Sequence, residues 1–197
     1  NKKINIIDIG ASDGISALFF INNLNPGNIF CYEPNKYFYK KLHNLKKKYK
    51  IIKIFNYGLG KKVNCENVFY PYINLFGKKI VLYAYSFPTI KSLKYQIGED
   101  FLIKPKILKE KLIIKKFKLP KKKIDLIKID TNGSEIYIID SILPILKRDK
   151  PTLIIENNNI NLINKKIKFL NYKKMCVENN ILVRHKNQRN MNIIFKQ

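Results

Sequence analysis

Asp8-Ile-Gly-Ala-Ser-Asp-Gly14 closes the short apolar run Lys3-Ile-Asn-Ile-Ile-Asp8, and this junction decides the fold. An apolar run of that length, ending in an acid and a glycine turn, reads as a buried parallel strand. From Asp13 to Leu24, Ile15, Leu18, Phe19 and Ile21 recur at near-helical spacing, and Asn25-Pro-Gly27 ends the helix. Asn28-Ile-Phe-Cys-Tyr-Glu33 is a second strand, stopped by Pro34. Asn35 then caps a basic helix running to about Lys48. Ile51-Ile-Lys-Ile-Phe-Asn56 is a third strand, closed by Gly58 and Gly60. The alternation of strand and helix predicts a parallel sheet with right-handed crossovers.

Downstream the same alternation resumes. Ile124-Asp-Leu-Ile-Lys-Ile-Asp130 reads as a strand, and Ser134 to about Lys147 as a helix with Ile136, Ile139, Ile142, Leu143 and Leu146 on its buried face. Pro151-Thr-Leu-Ile-Ile-Glu156 is another strand, followed by a helix from near Asn161 to Leu170. Lys174–Val183 and Asn190–Phe195 read as two strands joined by a polar turn from Arg184 to Arg189. The expected architecture is Rossmann-like α/β: a mostly parallel seven-stranded sheet with an antiparallel C-terminal hairpin and helices on both faces. Between about Val63 and Lys118 the pattern loosens into aromatic-rich extended segments and a lysine-rich stretch. Residues 1–197 therefore read as a single domain with an inserted, substrate-side region at about 63–118.

Composition narrows the class. A 46% hydrophobic chain of 197 residues supports a core and argues against disorder. Its longest apolar stretches, such as Ile80-Val-Leu-Tyr-Ala-Tyr85, fall far short of a bilayer span. Cys31, Cys65 and Cys176 are odd in number and widely spaced, fitting neither a disulfide framework nor a zinc cluster. A reducing, cytoplasmic setting is the expectation, and no signal-peptide pattern is visible. The net charge of +25 prompts a nucleic-acid partner. The excess is in Lys, however, accompanied by Asn, Ile, Tyr and Phe, while Arg is confined to Arg148, Arg184 and Arg189. AT-rich codons produce that bias, and bidentate phosphate contacts favour Arg. Much of the charge thus reads as codon bias, with an anionic partner such as nucleic acid the lesser expectation.

The glycine spacing separates cofactors. A dinucleotide loop wants G-x-G-x-x-G, whereas Gly10 and Gly14 here are separated by Ala11, Ser12 and Asp13. Asp-x-Gly-x-x-x-Gly lacks the second close-approach glycine that a pyrophosphate needs, and suits the smaller methionine sulfonium of S-adenosylmethionine. Glu33 stands at the tip of the second strand, where nucleotide-binding sheets place a ribose-hydroxyl acceptor. Asn56 falls at the third tip, on the adenine side. Asp8, Glu33, Asp130 and Glu156 all end expected strands, in a chain with just 14 acids. Ligands of such sheets bind outside those carboxyl ends.

Asp8-Ile-Gly-Ala-Ser-Asp-Gly14, Tyr32-Glu-Pro34, Asn56-Tyr-Gly-Leu-Gly60, Asp125-Leu-Ile-Lys-Ile-Asp130, Gly133-Ser-Glu135 and Pro151-Thr-Leu-Ile-Ile-Glu156 resemble, in order, the motifs of the FkbM family of methyltransferases. The resemblance covers most of residues 4–156. It implies a class I methyltransferase fold and transfer of a methyl group from S-adenosylmethionine to oxygen, commonly a hydroxyl of a sugar, glycolipid or polyketide. It further implies that Asp8, Gly10, Ala11, Ser12 and Gly14 cradle the methionine part. Glu33 would hold the ribose, Asn56 and Gly58 would lie near the adenine, and Asp130 and Glu135 would sit at the methyl-transfer end. Ser12 stands where the family usually has Asn, Gly58 where it has Ala, and Asn132 where it has Glu.

A sugar hydroxyl is a poor nucleophile, so a base or a metal is expected to assist it. Asp130 is the first candidate base. His185, in the terminal hairpin turn, is another if its loop overhangs the cleft. Asp130, Glu156 and Asn157, at adjacent strand tips, form a candidate set of oxygen ligands for Mg²⁺. The aromatic cluster at residues 69–87 reads as core and edge packing, or as a lid stacking on sugar rings. Two further readings stay open: an RNA methyltransferase using the basic surface, and a catalytically silent cofactor-binding domain motivated by Asn132.

Overall fold

A central strand of the main sheet is β1 (Ile4–Ile9), whose isoleucines Ile6, Ile7 and Ile9 are buried on both faces, as in a parallel strand covered by helices. In the computed structural model, which describes residues 2–81, 106–131, 133–156, 160–178, 181–184 and 192–197, the chain continues through α1 (Ile15–Asn23), β2 (Pro26–Tyr32), α2 (Lys36–Lys48) and β3 (Ile52–Phe55). It then forms β4 (Gly58–Leu59), β5 (Asn64–Leu75), β6 (Lys78–Val81) and β7 (Lys106–Lys115). β8 (Leu126–Ile129), α3 (Glu135–Asp149), β9 (Thr152–Glu156) and α4 (Ile160–Ile167) restore the alternation before β10 (Lys173–Glu178), β11 (Ile181–Arg184) and β12 (Asn192–Lys196).

Eight strands form the main sheet in the order β11-β10-β12-β9-β8-β1-β2-β3. From β3 to β9 neighbours pair in parallel, and β12, β10 and β11 pair antiparallel. The expected mostly parallel sheet with an antiparallel C-terminal end is present, with one strand more than expected. The extra strand arises because Lys174–Val183 is not continuous: β10 folds back on β11, pairing Glu178 with Ile181 and Cys176 with Val183. The chain leaves β1 toward β2 and β3, then returns to the other side of β1 with β8. That reversal opens a crevice at the carboxyl ends of β1 and β8.

Period-2 alternation sorts the core. Ile7 and Ile9 join Ile138, Ile139, Ile142, Ile145 and Leu146 of α3 and Ile163 of α4 on one face. Ile6, Ile29, Cys31 and Ile52 join Ala17, Phe20 and Leu42 of α1 and α2 on the other. The inward face of α1 differs from the expected one: Ala17 and Phe20 are buried, whereas Ile15 and Phe19 are 70% and 58% exposed. No helix among the described residues is long and apolar enough to cross a membrane.

A second, four-stranded sheet has the order β4-β7-β5-β6; within the region of about 63–118, residues 82–105 lie outside the described residues. β7 pairs with β5 from Tyr72↔Lys106 to Asn64↔Ile114. Asparagine capping and aromatic packing fasten this sheet to the main one. Asn35 Oδ1 accepts from the amides of Tyr37 and Phe38 to start α2, and the Lys36 amide donates to Glu110 of β7. Tyr32 stacks on Phe55 at 4.7 Å and meets Tyr57 and Phe117 edge-on or tilted.

Gly10 and Gly14 have φ of 78° and 93°, conformations that favour glycine. Their crowding comes from the protein itself. A Cβ on Gly10 would lie 1.9 Å from the carbonyl oxygen of Asp130, and one on Gly14 would lie 2.7 Å from a Leu45 methyl of α2. A backbone carbonyl yields less than a leucine tip. Gly10→Ala is therefore expected to destabilise by at least about 3 kcal/mol and Gly14→Ala by less, in urea unfolding; the reverse order would contradict this packing.

Candidate functional site

Strand register builds the site. Asp8 of β1 lies opposite Lys128 of β8, and Asp130 follows two residues later on the same side. Lys128 Nζ is 3.1 Å from Asp130 Oδ2 and 3.6 Å from Asp8 Oδ1. Asp8 is fully buried, and its other oxygen accepts from the Ser16 hydroxyl of α1. Burial pushes the Asp8 carboxyl above the usual carboxylate range, against the pull of Lys128 and Ser16. For Lys128, burial acts to lower the ammonium's pKa, but the carboxylates of Asp8 and Asp130 outweigh it and hold the value raised. The result is a lysine embedded in the sheet and stabilised by carboxylates on either side.

A cleft of ≈ 510 Å³ opens beside this triad. Gly10, Ala11, Ser12 and Asp130 line it, joined by Ile15, Ser16 and Phe19 of α1 and by Lys128. Its volume falls within the range of small-molecule sites. The turn preceding α1 spends its amides internally. Gly10 and Ala11 donate to the Tyr32 carbonyl, Gly14 donates to the Ala11 carbonyl, and Ser12 donates to Glu33 Oε2 at 2.8 Å. No nest of free amides remains at those positions for a pyrophosphate. What the cleft presents instead is an ammonium beside a carboxylate that is 39% exposed.

Glu33 braces the same loop. It is 6% exposed; one oxygen takes the Ser12 amide and the other takes the Asn35 amide at 2.8 Å. Burial raises its pKa to about 7, although both amides act to lower it. Asn56 Nδ2 donates to the carbonyls of Glu33 and Pro34, so this amide ties β3 to the turn after β2. Gly58 packs against Ile114 and Pro34. Glu33, Asn56 and Gly58 lie outside the cleft lining and connect to it through Ser12.

Glu135 has a different position from the one anticipated. It is fully buried, and its carboxylate accepts from the amides of Thr131 and Gly133 and from the Thr131 hydroxyl. It orders the turn between β8 and α3 rather than facing an acceptor. Asp130 and Glu156 end adjacent strands. Among the described residues, no group of three His, Cys, Asp or Glu side chains is placed to hold a metal, and Lys128 Nζ stands 3.1 Å from Asp130 Oδ2. Asn157, His185 and Asn132 lie outside the described residues.

A second cleft of ≈ 350 Å³ lies between the smaller sheet and the start of α3. Lys61, Asn64, Glu66 and Ile114 line one side, Ser134 and Tyr137 the other. Sequence reasoning missed Lys128, Ser16 and Phe19. A lysine inside the apolar run of β8, two residues before its terminal acid, was the available signal for the first. The one-sided exposure of α1 carried none.

A model of the FkbM methyltransferase domain matches residues 8–173. No curated protein matches the chain. A crystal structure of methyltransferase FkbM from Methylobacillus flagellatus KT is similar with a TM-score of 0.59 and 14% identity, over 98% of this chain and 43% of that one. This chain thus spans less than half the length of that relative. An rRNA methylase from Streptococcus thermophilus is similar at a TM-score of 0.49 and 9% identity, over 100% of this chain and 88% of that one. TrmK of M. capricolum, in complex with S-adenosyl-homocysteine, gives a TM-score of 0.44 and 15% identity, over 99% and 62% of the two chains. With its family model spanning most of the sequence, the chain belongs to the FkbM methyltransferase family.

Proposed function

We propose that the chain is an S-adenosylmethionine-dependent O-methyltransferase acting on a hydroxyl of a sugar, glycolipid or other small molecule. One observation carries the cofactor reading: the cleft pairs the ammonium of Lys128 with the carboxylate of Asp130, beside a loop whose Gly10, Ala11, Ser12 and Gly14 amides are already used. That donor set fits a zwitterionic amino-acid group, with Lys128 facing a carboxylate and Asp130 facing an ammonium, and it does not fit a pyrophosphate. When bound, S-adenosylmethionine supplies an electrophilic methyl group on a sulfonium centre.

The chain's own residues then orient and exclude. Asp130 and Lys128 hold the amino-acid end, and Asp8 keeps Lys128 charged from behind. Glu33, outside the cleft lining, holds the cofactor loop through the Ser12 and Asn35 amides, while Asn56 fixes the turn that carries it. Positioning of an acceptor hydroxyl supplies much of the rate of such a displacement. The second cleft, entered past Ser134 and Tyr137, is the acceptor side. The Tyr137 ring, 62% exposed, suits stacking on a sugar, and Asn64 and Glu66 suit its hydroxyls.

Calorimetric titration with S-adenosylmethionine tests the cofactor site. Asp130→Asn is expected to weaken binding at least ~30-fold; full affinity with lost turnover would instead make Asp130 the base. Lys128→Met leaves Asp8 buried without its cation and should cost about 3–5 kcal/mol of stability. The double variant Asp8→Asn/Lys128→Met should regain most of that stability without regaining the affinity. Methyl transfer to a glycan or glycolipid pool, and none to RNA, is the expected activity; transfer to RNA alone would overturn the acceptor reading.

Ionisation of Glu33 predicts a pH dependence. Its folded pKa of about 7 lies above the ordinary glutamate value of 4.5, so the folded chain binds this proton more tightly than the unfolded chain. Its contribution is fully present below the unfolded value and is lost as pH rises through 7, by on the order of 3 kcal/mol. Asp8, also raised, adds in the same direction. Urea melts between pH 4.5 and 7.5 should show stability falling with pH, and Glu33→Gln should flatten the slope. An unchanged slope in that variant would remove Glu33 as its source.

A further inference from the structure

The β5–β6 hairpin turns through Phe76-Gly77, and both residues have positive φ, 48° and 72°. A two-residue hairpin loop of the I′ type requires this, and Asn-Gly is its preferred sequence. A bulky residue at positive φ is an outlier, because its Cβ crowds the neighbouring carbonyl. Packing gives Phe76 nothing in return, since the ring is fully exposed at 101%. A strained aromatic at a hairpin apex, touching solvent on all sides, has no explanation in folding.

Its surroundings suggest one in binding. Alternation along β5 places Leu75, Ile73, Pro71 and Phe69 on one face of the smaller sheet. Register adds Lys78 and Ile80 of β6, and Ile107, Lys109, Lys111 and Ile113 of β7. Leu75, Ile80, Ile107 and Ile113 are each between 36% and 43% exposed. The opposite face buries Val68, Tyr70 and Leu112 and carries Glu66 and Glu110. Lys79, also on that face, reaches over the Tyr72 ring at 4.5 Å beside the apex. The exposed face therefore combines an apolar tip and stripe with lysines, and no acid among its described residues.

We propose that this face docks on an anionic lipid surface, with Phe76 entering the interfacial layer and Lys78, Lys109 and Lys111 meeting lipid phosphates. An aromatic ring on a protruding apex suits the boundary between headgroups and acyl chains. Basic residues behind it gain from the negative surface potential of such a membrane. A nucleic acid would instead favour a concave basic groove with several stacking rings, which a single apical phenyl does not supply.

Vesicle co-sedimentation tests the proposal without reference to methyl transfer. The whole chain should partition onto phosphatidylcholine vesicles containing phosphatidylserine and much less onto phosphatidylcholine alone. Phe76→Asn creates the favoured Asn-Gly turn, so it should fold at least as stably, yet bind the anionic vesicles about tenfold more weakly or worse. Replacing Lys78, Lys109 or Lys111 by Ala should cost about fivefold each on anionic vesicles. The chain has no tryptophan, so Phe76→Trp provides a lone reporter whose emission should shift to the blue when those vesicles are added. Unchanged partition of Phe76→Asn, or an unshifted emission, would overturn the proposal. So would a result in which the lysine variants lose binding to an RNA oligonucleotide while vesicles do not bind the parent chain.

Discussion

A lysine in the middle of a sheet requires a charge partner, and at the junction of β1 and β8 it has two. Taking an ammonium out of water costs several kcal/mol unless opposite charges and hydrogen bonds replace the lost hydration. Asp8 and Asp130 provide that replacement from adjacent strands. The requirement fixes the register of the two strands on either side of the switch point. It also keeps Asp8 away from solvent and brings the carboxylate of Asp130 to the mouth of the cleft. Ser16 extends the network into α1. Gly10 permits the close approach on which the arrangement rests, since the Asp130 carbonyl occupies the space a side chain would take.

A second layer of positioning surrounds this centre. Glu33 joins the loop after β1 to the start of α2, Asn56 holds the turn that carries Glu33, and Glu135 collects the amides of the turn after β8. These polar groups thus order the backbone segments that surround the crevice. These roles are compatible with ligand binding, because a site held by packed and hydrogen-bonded supports loses little entropy when filled. They also give the acids near the strand tips of this otherwise basic chain a structural role: Glu33 and Glu135 satisfy backbone donors, and Asp8 and Asp130 pair with Lys128.

Much of this was legible in the sequence, for physical reasons that can be stated. Parallel strands are buried on both faces, so Ile4–Ile9 and Leu126–Ile129 are recognisable as mostly apolar runs, and Asp8 and Asp130 fall near their carboxyl ends, where the crevice opens. The site was less legible where a residue's role depends on its partner. Lys128 looks like one more lysine until strand register sets it against Asp8. Glu135 suggests chemistry until its oxygens are seen meeting Thr131 and Gly133. Ile15 and Phe19 recur at helical spacing, yet Ala17 and Phe20 face the core, because close packing of α1 on the sheet needs a small residue there. The smaller sheet was unreadable in advance because β7 mixes lysine with apolar residues without a regular period, and its two faces are defined through its pairing with β5.

The crevice between β1 and β8 is the proposed place of cofactor binding. Amide hydrogen exchange with and without S-adenosylhomocysteine measures that location directly. Slowed exchange confined to the segments around residues 10–16 and 128–131, with a smaller effect near Glu33, is the predicted outcome. Protection centred on Leu59–Glu66 and Ser134–Tyr137, or no protection at saturating ligand, would contradict it.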